Sequence, residues 1–112
     1  MSQHVSEVTD GTFEREVLEA GRPAVVDFGA PWCPPCRAME PIFGELAGRF
    51  AGSASFLKLN IDDNPAVAQR YGVKGIPTFI VFDNGREVER VVGAVGKEAL
   101  ARIVNKYVTV AA

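Results

Sequence analysis

The 112-residue sequence predicts one mixed α/β domain, a central sheet with helices on both faces. Three observations carry that expectation. Strand and helix candidates alternate through the early part of the chain, as parallel strands joined by helical crossovers require. The run Ala24-Val25-Val26-Asp27-Phe28 is apolar almost without interruption, which marks a strand covered on both faces. Asp83-Asn84-Gly85 is a hairpin turn, so the two strands it joins must be antiparallel.

Taken in order, Val5 to Val8 is a short edge-strand candidate, and Thr9-Asp10-Gly11-Thr12 supplies turn and N-cap residues. Phe13, Val17 and Leu18 then give a helix an apolar face, with Glu14 and Glu16 suited to the positive end of its dipole. Gly21-Arg22-Pro23 stops that helix, and the buried strand Ala24 to Phe28 follows. Pro34 and Pro35 fit the first turn of a second helix, where a missing N–H costs the hydrogen-bond ladder nothing. Met39, Phe43, Leu46 and Phe50 continue it at helical spacing, and Pro41 inside it should kink it. Phe56 to Ile61 is the third strand. Asn64-Pro65 opens a short helix with a cap residue and a proline at its first position, and Val67, Ala68 and Tyr71 line its inner side. Thr78 to Phe82 is strongly β-prone. Beyond the hairpin turn, Glu87 to Val92 carries the charges of a sheet edge, and a last helix sets Leu100, Ile103, Val104, Tyr107 and Val108 on one stripe. The count is five strands and four helices, uninterrupted by repeat or linker from residue 1 to 112.

Composition excludes several functions. Hydrophobic residues are 47% and charged residues 23%, an ordinary globular balance, and the chain is long enough to bury a core without disulfides or metal. A net charge of -2 gives no electrostatic reason to expect a nucleic acid or an anionic membrane as partner. No apolar run approaches the length of a membrane span. Met1 to Glu7 lacks the basic start and apolar core of a secretory signal, so the cytoplasm is the expected compartment. A permanent disulfide is unexpected there, and paired cysteines read as catalytic or metal-binding.

The only two cysteines and the only tryptophan stand together in Trp32-Cys33-Pro34-Pro35-Cys36. On the first turn of a helix, thiols at this spacing lie within disulfide range. The ring they close is too small to remove much entropy from the unfolded chain, so the pair suits a bond that opens and closes better than a staple. Cys33 precedes the helix, where the positive helix end and free N–H groups lower a thiol's pKa; it is the expected attacking thiolate. Cys36, one turn in, is expected to be more buried and to resolve the mixed disulfide. A closed zinc site needs four ligands, and His4, the remaining candidate, stands alone near a terminus. Asp27 interrupts an apolar strand, where burial would raise its pKa toward neutrality.

In their order and spacing, Val26-Asp27-Phe28, the Cys33–Cys36 motif, Pro41, Lys58-Leu59-Asn60-Ile61-Asp62, Gly75-Ile76-Pro77-Thr78 and Val92-Gly93 resemble the thioredoxins, over about Val5 to Val108. The resemblance implies the thioredoxin fold, a five-stranded mixed sheet with four helices. It implies a thiol–disulfide oxidoreductase that reduces protein disulfides, with a redox-active Cys33–Cys36 disulfide and no bound cofactor. A thioredoxin reductase would recharge it, and the chain is expected to act as a monomer. Asp27 would lie beneath Cys36 and help to deprotonate it through water. Lys58 would lie near that acid and offset the rise in its pKa, and a snorkelling surface lysine is the equal alternative. Pro77 would follow a cis peptide and face the cysteines, with the backbone before it pairing with an extended substrate. Trp32, Pro34, Ile76, Val92 and Gly93 would form the apolar rim of that docking surface, with Pro35 beside them.

Two positions depart from the commonest pattern. Pro34 stands where glycine is usual, and removes an N–H whose loss matters only if it would have bonded the thiolate. Gly29 stands where a second tryptophan is common, which leaves a gap, admits water near Asp27, or is filled by a neighbour. Three rival functions remain at this level. One is an oxidase or isomerase; a second is a binding subunit that uses the docking surface without redox chemistry; the third is a zinc or iron–sulfur clip shared by two chains.

Overall fold

The computed structural model describes residues 3–108; the first two residues of the N-terminal stretch and the last four of the expected 1–112 domain lie outside the described residues. A five-stranded sheet runs in the order β1 (Val5–Glu7), β3 (Ser55–Asn60), β2 (Ala24–Gly29), β4 (Thr78–Asp83), β5 (Arg86–Val92). β3 pairs in parallel with both β1 and β2, while β4 is antiparallel to β2 and to β5. The mixed sheet therefore arises as expected, from helical crossovers early and a hairpin late. Asn84 and Gly85 both adopt positive φ, 53° and 80°, the conformation that a tight hairpin turn demands and that Asn-Gly supplies at low cost.

Successive strand residues face opposite sides of the sheet, and the core divides accordingly. Val25, Phe56, Phe79 and Val81 meet Met39, Phe43 and Leu46 of α1 (Pro34–Arg49) and Leu100 and Val104 of α3 (Lys97–Asn105). Val26, Leu57, Ile80 and Phe82 face the other way, against Phe13, Val17 and the residues Val67 and Ala68 of α2 (Pro65–Arg70). β2 is buried along its whole length, which explains its unbroken apolar run. Asp27 points to the α1 side, two residues after Val25.

The differences from expectation are local. The first helix is a single π-helical turn, Glu14–Leu18, with Phe13 at its N-cap and no side-chain cap; Thr9 and Thr12 instead bond each other's N–H in the preceding turn. Asn64 does not cap α2. Asp10 does, accepting from the N–H groups of Ala66 and Val67, while the Asn64 side chain accepts the Asp10 N–H. α1 continues past Pro41 to Arg49. Tyr107 and Val108 lie beyond the end of α3 yet still pack against the core. Among the described residues, no helix is long and apolar enough to cross a membrane.

Candidate redox site

β2 ends at Gly29, and the loop that follows carries the chain across the sheet end to the start of α1. Cys33 is the N-cap of that helix, in an extended conformation, with Pro34 and Pro35 in the first two helical positions. Cys33 and Cys36 are joined in a disulfide, with Cα atoms 5.2 Å apart. The N–H of Cys36 donates to Cys33 Sγ at 3.3 Å, so this sulfur accepts one of the four N–H groups a helix start leaves without partners.

Both cysteines are buried, and here the expected difference between them is corrected: Cys33 is 3% exposed and Cys36 6%. In the closed disulfide Cys33 turns inward, its sulfur 4.0 Å from the Ile76 carbonyl oxygen, and both sulfur-bearing residues pack with Ala30, Ile61 and Ile76.

The expected docking residues converge around this pair. The Ile76-Pro77 peptide is cis. Thr78 Oγ1 donates to the Gly75 carbonyl, and the N–H of Gly93 to the Pro77 carbonyl at 2.7 Å, which ties the end of β5 to the proline loop. Gly93 has φ of 94°, a conformation side chains avoid. Trp32 and Val92 are the exposed large hydrophobic residues among those described, at 63% and 62%. They stand with exposed Pro34 and Pro35 and half-buried Ile76 and Gly93. Scattered exposed hydrophobes need no explanation, but these two flank one reactive disulfide. Trp32 Nε1 donates to Asp62 Oδ2 at 2.6 Å, which ties the indole to the segment that follows β3.

Beneath the cysteines lies Asp27, 2% exposed, its Oδ1 buried without a hydrogen-bond partner. Burial pushes its carboxyl up to about 7; the Lys58 charge pulls it down, and the Glu40 charge adds to the rise. A Cβ on Gly29 would stand 3.3 Å from Cys36 Sγ and 3.6 Å from Asp27 Oδ1, so that acid and sulfur are at most about 7 Å apart. Position 29 thus borders both groups, and the space beside its backbone is already occupied by Cys36. Lys58 is the register partner of Asp27 across β2 and β3, yet its Nζ donates to Glu40 Oε1 at 2.9 Å, with both side chains about half exposed. The two readings of Lys58 are therefore compatible: it lies beside the acid and it snorkels.

A family model, Thioredoxin, matches residues 4–106. The chain belongs to the thioredoxin family. It is 46% identical to thioredoxin of Pyropia yezoensis over 105 residues, covering 94% of this chain and 98% of that one. It is 47% identical to thioredoxin 1 of Synechococcus elongatus over 100 residues, covering 89% and 94%. It is also 47% identical over 100 residues to the chloroplastic M-type thioredoxin of Brassica napus, covering 89% of this chain and 56% of that one. Like other thioredoxins the protein is a thiol–disulfide oxidoreductase whose redox group is its own cysteine pair. Among the described residues, no group of three or more His, Cys, Asp or Glu could hold a metal ion. Disulfide-containing substrates and a reductase are the partners such a thioredoxin has in general.

Sequence reasoning did not single out Glu40 and Asp62. Asp62 follows a strand that was read correctly, but its bond to Trp32 spans thirty residues. Glu40 sits one turn after Cys36 on α1, and that spacing is the one signal that could have pointed to it.

Proposed function

We propose that the protein reduces disulfides in other proteins, attacking through Cys33 and resolving through Cys36, with Asp27 as the proton acceptor. The Cys33 thiolate attacks one sulfur of a substrate disulfide; that S–S bond breaks, the other sulfur leaves as a thiolate and takes a proton, and a mixed disulfide forms. Cys36 gives its proton to Asp27 through water. Its thiolate then attacks Cys33 Sγ, expels the second substrate sulfur, and closes the disulfide. Two electrons have passed to the substrate. A thioredoxin reductase returns them to the protein.

The observation that carries this reading is the closed disulfide at the start of α1, with the Cys36 N–H on the Cys33 sulfur and exposed Trp32 and Val92 beside it. The substrate's extended backbone would pair with the segment before Pro77, as an added strand. The site is complete within one chain, which suits a monomer. The cytoplasm is the compartment we assign. Some relatives are named chloroplastic, and fractionation of the source cells decides between the two.

Trapping tests the roles. With Cys36→Ser, substrate proteins should stay attached to Cys33; with Cys33→Ser, none should. The reverse pattern would exchange the roles. A double-cysteine variant that kept full function would identify a binding subunit instead.

A further inference from the structure

Asp27 is not sealed on its outer side. It forms the floor of a groove of about 550 Å³, whose charged walls are Lys58 from β3 and Arg37, Glu40 and Glu45 from α1. From β4 the residue opposite Asp27 is Phe79, which carries no charge. Two features of this groove are unexpected together. The acid that must accept a proton has a buried oxygen without a partner. The cation best placed to supply one, its register partner Lys58, is bonded to Glu40 at the exposed end of the same groove.

Adjacent strands lie about 5 Å apart, so the flexible stem of Lys58 can place its ammonium either beside Asp27 or out at Glu40. Glu40 decides between these. An ammonium drawn to the rim is hydrated, half-exposed and a weaker stabiliser of a buried anion; one folded inward would favour the ionised form of Asp27 and make it a poorer proton acceptor.

We propose that Glu40 is a positioning residue for the proton relay: by holding the Lys58 ammonium at the mouth of the groove, it keeps Asp27 without a cationic partner and so free to take up and release a proton. The inference rests on the reading of Asp27 as the proton acceptor for Cys36. Glu40 touches neither sulfur nor substrate; it acts through Lys58. The direct field of Glu40 works in the same sense, since its charge raises the Asp27 pKa while that of Lys58 lowers it. The groove also gives the proton a route to water, so that Asp27 resets between turnovers without the docking face having to clear.

The test follows the Asp27 carboxyl carbon by NMR in the reduced protein across pH, alongside the pH profile of substrate release from the mixed disulfide. Glu40→Gln should lower the Asp27 midpoint by about half to one pH unit and move the release profile with it. In a Lys58→Met background the same substitution should produce a clearly smaller fall, because no ammonium is left to fold inward. Glu40→Asp, which keeps an anion on that turn, should restore most of the midpoint. A midpoint that stays put, an equal fall in the Lys58→Met background, or no rescue by aspartate overturns the assignment while leaving Asp27 as acceptor. If the parent carboxyl titrates with ordinary surface acids, both the acceptor role and this inference fall.

Discussion

The N–H of Cys36 points at the sulfur of Cys33 across 3.3 Å, a donor already aimed where negative charge will sit once the disulfide opens. An N-cap side chain takes its bond from the second or third helical residue, and the third is Cys36. Pro34 occupies the first position, whose N–H is not a capping donor, so the usual glycine there would add no bond to the thiolate. Reduced protein should titrate its first thiol below the ~8.5 of free cysteine, and Pro34→Gly should leave that midpoint within about half a pH unit. Ultraviolet absorbance of the thiolate measures both. A fall of a full pH unit or more in the glycine variant would mean that position 34 does contribute a donor.

Asp27 makes the fold pH-sensitive in a direction opposite to that of a paired carboxylate. Its side chain titrates near 3.8 when unfolded and at about 7 when folded. Between these values the native state holds a proton that the unfolded chain has released. Stability therefore falls as pH rises through that window, and the loss is complete above about 7. Asp27→Asn, which keeps the shape without the charge, should stabilise the protein by on the order of 2–4 kcal/mol at about pH 8 and hardly at all at about pH 4. Urea unfolding at the two pH values is the check, and the same variant should release substrate from the mixed disulfide more slowly.

Trp32 is 63% exposed, and its bond to Asp62 is at the surface, so neither contributes much to folding. Trp32→Ala should change unfolding free energy by less than about 1 kcal/mol. Its effect belongs to docking. KM for a disulfide-bonded protein should rise several-fold, with little change for a small disulfide that does not reach the rim. An equal effect on both substrates would place Trp32 in the chemistry rather than in recognition.

Asp10 bonds two N–H groups at the start of α2 from a loop more than fifty residues away, so it caps a helix and also ties the loop before the π-helical turn to it. Asp10→Ala should cost about 1–2 kcal/mol of stability and increase amide exchange in α2, while the redox equilibrium of the cysteines stays unchanged.

What could be read in the sequence was whatever is local. The unbroken apolar run of β2, the Asn84-Gly85 turn and the Cys33–Cys36 spacing each carry their structure within a few residues. The π-helical form of Glu14–Leu18 was not legible, because one turn is too short for apolar spacing to separate helix types. Asn64 was a reasonable cap by type, but tertiary contact brought a better acceptor in Asp10. Lys58 shows the same limit. Its place beside Asp27 was implied by the family resemblance and agrees with the β2–β3 register, whereas its bond to Glu40 depends on how α1 lies across the sheet. The burial of Cys33 was likewise set by the Ile76 loop, from the far side of the molecule's sequence.

The most direct measurement equilibrates the purified protein in glutathione buffers of graded poise and counts free thiols by mass. The cysteine pair should pass between dithiol and disulfide in one two-electron transition, absent when Cys36 is replaced by serine. A pair that stays in one form across the whole series would contradict the account at its base.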